Sequence, residues 1–194
     1  MKLLPTPFCV VLLLAMIGCA DTDPAQMSEA DLRATSEVIH DAALTIDSHV
    51  DISFDFATES VDPLNGVRQV NLQNMRAGGL DVGFLNVFVR QTERTPENYA
   101  QAKTDAMTKF DAIHRMADEM YPHLIELAYS ADDVERIHSS GKLVAAIGIE
   151  NGYVIGNDLS LLERYHQLGA RYITLSHGGH NDISDSARPR PELG

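Results

Sequence analysis

An α/β fold built on a parallel sheet is what this sequence predicts, on three observations. Stretches patterned as strands and as helices alternate along the chain. The strand-like stretches, such as "DVGFLNVFV" (81–89) and "KLVAAIGIE" (142–150), are nearly continuous in apolar residues, as expected when both faces of a strand are buried. The residues able to do chemistry fall at strand ends: His49 with Asp51, Glu150 and His177 each end or just follow a strand. Chemistry gathered at the C-terminal ends of parallel strands is the rule for (β/α)8 barrels and also for open doubly wound sheets. No glycine-rich phosphate loop follows the first strand, which weakens the nucleotide-binding alternative.

Each element has its own local reason. Lys2 followed by the apolar run "FCVVLLLAMIG" (8–18) is too short to span a bilayer comfortably and reads as a signal peptide over residues 1–19. It ends in "MIGC", which resembles a bacterial lipoprotein cleavage box, so Cys19 is the expected lipidated residue. Residues 20–27 read as a tether, and residues 28–194 as the folded part. A helix opens at Ser28, with Asp31 as its capping partner, and runs to about Ala43. "LTIDSHV" (44–50) is the first strand, and "VNLQNMRAGG" is a short helix stopped by Gly78 and Gly79. The longest helix starts after Thr95 with Pro96 in its first turn, and Tyr99, Ala102, Ala106, Phe110, Ile113, Ala117 and Met120 mark its inward face. "LIELAY" is a short accessory strand, and "SADDVERIHSSG" is a helix with a Ser cap and a terminal Gly. Residues 142–150 form a strong buried strand. Residues 158–169 are a helix with Leu159, Leu162 and Tyr165 at core spacing, and 171–177 form the last strand.

Composition narrows the function. With 194 residues and 44% hydrophobic content there is enough to bury a core, and the formal net charge of -13 argues against a nucleic-acid partner. Cys9 leaves with the signal and Cys19 is the lipid site, so the folded part has no thiol and no intrachain disulfide.

"TIDSHVDIS" (45–53) carries the first chemistry. In an extended chain His49 and Asp51 share a face, and an imidazole beside a carboxylate suits a divalent metal ion or a plain salt bridge. Taken in order, "DSHVD", "IGIENG" and "LSHGGHND" resemble the membrane dipeptidase family, the zinc peptidases that include renal dipeptidase. The resemblance runs from about Ser28 to the end, through "GGLDVGFLNVFV" and "LLERYHQLGARYITLSH". It implies a TIM-type (β/α)8 barrel, with this chain covering about the first four β/α units. It also implies two zinc ions per complete active site. His49 and Asp51 would hold one zinc, Glu150 would bridge both as the catalytic carboxylate, and His177 would contact a dipeptide substrate.

Three local departures accompany the resemblance. "ENGY" (150–153) stands where family members often show "EGGH", Ser176 stands where a Thr is usual, and the chain has no Trp. Since such a barrel needs about 250 residues, the remaining zinc ligands and the acid–base aspartate are expected beyond residue 194. His180 is expected to line a loop, with Asn181 and Asp182 beside it. His40, His114, His123, His138 and His166 are expected at surfaces or boundaries. The reading is therefore an exported dizinc dipeptidase, lipid-anchored and facing the periplasm or cell exterior, with self-association as a homodimer left open. Ala20 after the cysteine favours the outer membrane if the cell has one. The rival readings are another metal-dependent amidohydrolase, amidase or lactamase-like, and a binding lipoprotein without chemistry.

Overall fold

The computed structural model describes residues 24–68 and 70–188, which fall into two units, one ending at Ile39 and the other beginning at His40. The stretch expected as a signal peptide and Cys19 lie outside the described residues, as does the sequence after Arg188. Pro24–Gln26 form a 3-10 turn within the stretch expected as a tether. Helix α1 (Glu29–Ala42) follows. Its expected cap is present: Asp31 N–H donates to Ser28 Oγ at 3.2 Å, and the Ser28 hydroxyl donates to Asp31 Oδ2 at 2.7 Å. Among the described residues no helix is long and apolar enough to cross a membrane.

The second unit is an alternating α/β structure around a five-stranded parallel sheet: β1 (Ile46–Asp51), β2 (Val82–Phe88), β3 (Ile125–Leu127), β4 (Leu143–Glu150) and β5 (Ala170–Ile173). β1 pairs with β2, and β2 pairs with β4 along its whole length. The far edge of β4 is divided between two strands. β3 takes residues 143–145 and β5 takes residues 147–149. The stretch expected as an accessory strand is thus a full member of the sheet. Leu143 N–H donates to the Leu124 carbonyl and Ala128 N–H to the Ala145 carbonyl, both at 2.9 Å, so the lower half of β4 is not left open.

Register fixes two faces. Leu85, Val87, Leu143, Ala145, Ile147 and Ile149 point into the main core, where they meet helices α2 (Leu72–Gly78), α3 (Pro96–His114) and α5 (Ser160–Gln167). Asn86, Phe88, Gly148 and Glu150 share the other face, since Asn86 pairs with Gly148 and Phe88 with Glu150. At the N-terminal end of that second face, Val82 and Val144 pack with Ile137 of α4 (Ala131–Ser139). Local signals hold where caps set them. Asn98 N–H donates to Thr95 Oγ1, Asp133 N–H to Ser130 Oγ, and Gly79 ends α2 at φ 65.

Three expectations need correcting. The long helix does not continue in α geometry to Met120 but widens into a π turn over Arg115–Met120, which buries Met116 as well as Ala117. α5 buries Leu161 and Tyr165 and leaves Leu159 and Leu162 exposed. Tyr165 sets that face, stacking on Phe110 at 5.3 Å and donating its hydroxyl to the Val154 carbonyl at 3.1 Å. The last strand stops at Ile173 rather than His177, because its partner runs out: the final ladder bond goes from Thr174 N–H to the Ile149 carbonyl, next to the end of β4. His177 therefore sits on a loop.

Candidate metal centre

β1 and β4 bring the first three site residues together. Asp51 ends β1 and Glu150 ends β4, with β2 between them, so both project from the same end of the sheet. β1 carries a bulge just before its end. The register shifts between Asp47 and Val50, and Ser48 and His49 both fall opposite Phe84. His49 is the second residue of the bulge, and from it the alternation runs on through Val50, so His49 and Asp51 keep to one face. His49 Nε2 lies 3.2 Å from Glu150 Oε2 and 3.8 Å from Asp51 Oδ1. One donor atom from each of the three residues falls within 4.8 Å of the others. His49 and Asp51 are exposed to solvent while the Glu150 side chain is largely covered, which leaves the cluster open on one side.

His177 reaches the same carboxylate from the loop after β5. Its Nε2 lies 3.4 Å from Glu150 Oε1, its ring packs on Phe88 at 5.0 Å, and its carbonyl accepts a 2.6 Å bond from Ser186 Oγ. Glu150 thus turns one oxygen to each histidine. All four residues singled out in the sequence meet at one place. His180 does not join them: its Nδ1 accepts Ser186 N–H at 3.1 Å and faces Asp185 at 3.2 Å. Asp182 accepts the Tyr99 hydroxyl and lies 3.8 Å from Arg94, pinning its loop to α3; burial, reinforced by Asp182, pushes the Tyr99 phenol well up.

The "ENGY" departure also finds its explanation. Asn151 adopts φ 80, a left-handed value that favours glycine, and is wholly buried. Its side chain holds it there. Asn151 Oδ1 accepts from Tyr153 N–H at 3.2 Å and from Asn181 Nδ2 at 3.0 Å, while Asn151 Nδ2 faces Gln91 Oε1 at 3.4 Å. Gln91 donates onward to the His180 carbonyl. This buried amide chain ties together the loops after β2, β4 and β5. Tyr153 turns away into the packing of α3, bonding Thr92 Oγ1 at 2.9 Å and meeting Tyr99 at 5.4 Å.

Sequence reasoning missed the residues behind the site. Lys109 is 4% exposed on α3 and donates to the Ile52 carbonyl at 2.6 Å. Burial lowers its pKa, and the Asp51 and Glu150 carboxylates pull it back up. Half-buried Tyr172 and buried Asn86 form a second polar pair beneath the cluster. The signals were there: an Asn inside the apolar "VGFLNVF" and a Lys next to Phe110 on a core face.

A family model described as membrane dipeptidase, peptidase family M19, matches residues 33–193. The chain belongs to this family. Among membrane dipeptidase relatives, dipeptidase aclJ of Aspergillus oryzae is 34% identical over 125 residues, covering 62% of this chain and 29% of the relative. Dipeptidase ataJ of Aspergillus terreus is 33% identical over 128 residues, 64% of this chain and 31% of its own length. The crystal structure of the probable dipeptidase PvdM from Pseudomonas aeruginosa superimposes with a TM-score of 0.77 at 26% identity, over 86% of this chain and 42% of that one. A metallo peptidase from Rhodobacter sphaeroides, liganded with a phosphinate mimic of the dipeptide L-Ala-D-Ala, shares the fold with a TM-score of 0.55 at 19% identity, over 66% of this chain and 44% of that one. The chain spans about a third of the length of these curated relatives.

The donor set of the His49–Asp51–Glu150 cluster suits a metal. One imidazole and two carboxylates converging within 4.8 Å are ligands that borderline divalent ions such as zinc accept.

Proposed function

We propose that this protein is a zinc-dependent dipeptidase that cleaves the peptide bond of dipeptides with an activated water. The observation that carries the reading is the convergence of His49, Asp51 and Glu150 at the ends of parallel strands in a member of the M19 family. Zinc held by these three residues would lower the pKa of a water and polarise a carbonyl. Each side chain then has a task. His49 and Asp51 fix one side of the site. Glu150, with one oxygen toward His49 and the other toward His177, can serve two ions and offset their repulsion, so the reading includes a second zinc. His177, half-exposed on its loop, is placed to hydrogen-bond an oxygen that gains charge as the peptide carbon becomes tetrahedral. Phe88 and Ser186 limit its swing.

The same reading takes the parallel sheet as part of a (β/α)8 barrel, supported by the site's position at the C-terminal strand ends. It also takes Cys19 as a lipid anchor, for which intact-mass analysis of the exported protein is the check.

The test is direct. The full-length protein is dialysed, its zinc counted by elemental analysis, and its hydrolysis of free dipeptides compared with that of N-acylated amino acids. Zinc retention with chelator-sensitive dipeptide cleavage is the expected result, and acceptance of D-residues at the C-terminal position is expected with it. A preference for N-acylated amino acids would replace the reading with another amidohydrolase. Absence of zinc would leave a binding protein.

A further inference from the structure

Two backbone carbonyls flank the His49–Asp51 pair, those of Ser48 and Ile52, and each is held by a side chain from far along the chain. The bulge in β1 creates the first need. It takes Ser48 and His49 out of the regular ladder, so their peptide groups must find partners elsewhere. His49 N–H finds Asp47 Oδ1 at 3.0 Å, a local solution. The Ser48 carbonyl finds the Tyr172 hydroxyl at 2.8 Å.

Tyr172 comes from β5, with β4 and β2 between it and β1. Its path is cleared by Gly148, where a Cβ would lie 2.1 Å from Tyr172 Cζ, and its ring packs on Phe84 at 5.3 Å. The phenol has one proton but faces two acceptors, the Ser48 carbonyl and Asn86 Oδ1. Asn86 Nδ2, wholly buried, has no partner among the described residues. Turning the Asn86 amide end for end removes the competition for the phenol proton and gives Nδ2 an acceptor, with Oδ1 taking the place that Nδ2 held. Nδ2 then donates to the phenol oxygen, and the phenol proton goes to Ser48. Burial raises the Tyr172 pKa, with Glu150 adding to the rise, so the hydroxyl keeps that proton. On the other flank, the Lys109 ammonium donates to the Ile52 carbonyl at 2.6 Å and sits 4.9 Å over the Phe54 ring.

We infer that Tyr172 and Lys109 are positioning residues for the His49–Asp51 pair, fixing the peptides on either side of it so that both side chains meet Glu150 at ligand distance. The inference rests on the zinc reading above. Neither residue is one of the three candidate ligands; each acts through the backbone beside them, and a metal site whose supports loosen binds metal more weakly.

The experiment compares full-length wild type, Tyr172→Phe, Lys109→Met and a control, Thr95→Ala. The control removes the cap of α3 without touching the site. Zinc affinity is measured by competition with a chromophoric chelator, the cobalt(II)-loaded protein by its visible absorption, and stability by melting temperature. Tyr172→Phe keeps the ring and so tests the hydroxyl without opening a cavity. The expected result is a zinc affinity weakened about 10- to 100-fold in both site variants, with a changed cobalt spectrum, whereas Thr95→Ala shifts the melting temperature alone. Wild-type binding with a variant within twofold of it, and an unchanged cobalt spectrum, would overturn the role of that residue. Should Lys109→Met fail to fold, Tyr172→Phe alone decides for the pair. A wild type that takes up no zinc would instead sink the metal reading, and the positioning role with it.

Discussion

Along β4 the odd positions Leu143, Ala145, Ile147 and Ile149 and the even positions Val144, Ala146, Gly148 and Glu150 face opposite sides of one sheet. On the odd side each residue is one of many apolar contacts in a core shared with α3 and α5. Toward the C-terminal end of the even side the residues depend on particular partners. Gly148 exists beside the Tyr172 ring, and Glu150 between His49 and His177. The odd face tolerates exchange among apolar side chains of similar volume. The even face does not, because its bonds have one geometry and few substitutes.

The comparison breaks most easily at Glu150. Glu150→Gln keeps the size but removes the charge, and turnover in the full-length protein should fall on the order of 1,000-fold, about 4 kcal/mol. Zinc content should fall with it while the melting temperature barely moves. Full zinc loading with wild-type rates would take Glu150 out of the site and erase the distinction between the faces.

Its neighbour on the odd side should behave in the opposite sense. Ile147 is completely buried, and Ile147→Ala should lower stability by about 2–5 kcal/mol in denaturant titration. Zinc affinity of the molecules still folded should be that of wild type. Loss of affinity in proportion to stability would show that the two faces are not separable.

Gly148→Ala sharpens the contrast, since it adds a single methyl group to the even side. The new Cβ would overlap a rigid ring held at its far end, so a cost of about 1–3 kcal/mol is expected. Unlike Ile147→Ala, this variant should weaken zinc binding as Tyr172 is displaced from Ser48. A chelator competition equal to wild type would show that the ring can move without disturbing β1.

The smallest effect is expected at the other end of the even face, at Glu126, which pairs in register with Val144. Bonds from Lys142 and Arg136, each at 2.8 Å, hold its pKa below the usual carboxylate value. A depressed folded-state pKa gives stability that is present above the unfolded value and is lost as pH falls through the folded one. Glu126 is partly exposed, so screening limits the contribution to under about 1 kcal/mol. Glu126→Gln should therefore flatten the acid side of the stability profile slightly and leave neutral-pH zinc binding unchanged. A large effect on zinc would mean the site extends along the whole face.

Much of this was legible in the residues. Thr95, Ser130 and Gly79 mark their helix ends because a cap is decided within a few positions. His49 and Asp51 share a face because alternation is a property of the strand itself, and it resumes at His49, the second residue of the bulge. Glu150 ends an apolar run whose length and β-branched residues read as a buried strand. Local chemistry could not decide what lay across the sheet. Lys109 is a lysine out of place on a core face until the Ile52 carbonyl is found beside it, and Asn86 is a misplaced polar residue until Tyr172 arrives from β5. Asn151 reads as a loop asparagine until Gln91 and Asn181 hold it at a glycine-like φ. Caps and periods arise from neighbours within a turn or two, so sequence by itself determined them. The supports of the site join residues far apart in the chain, and only the packing of β1, β2, β4 and β5 against one another and of α3 against the sheet brings those groups within a hydrogen bond's reach.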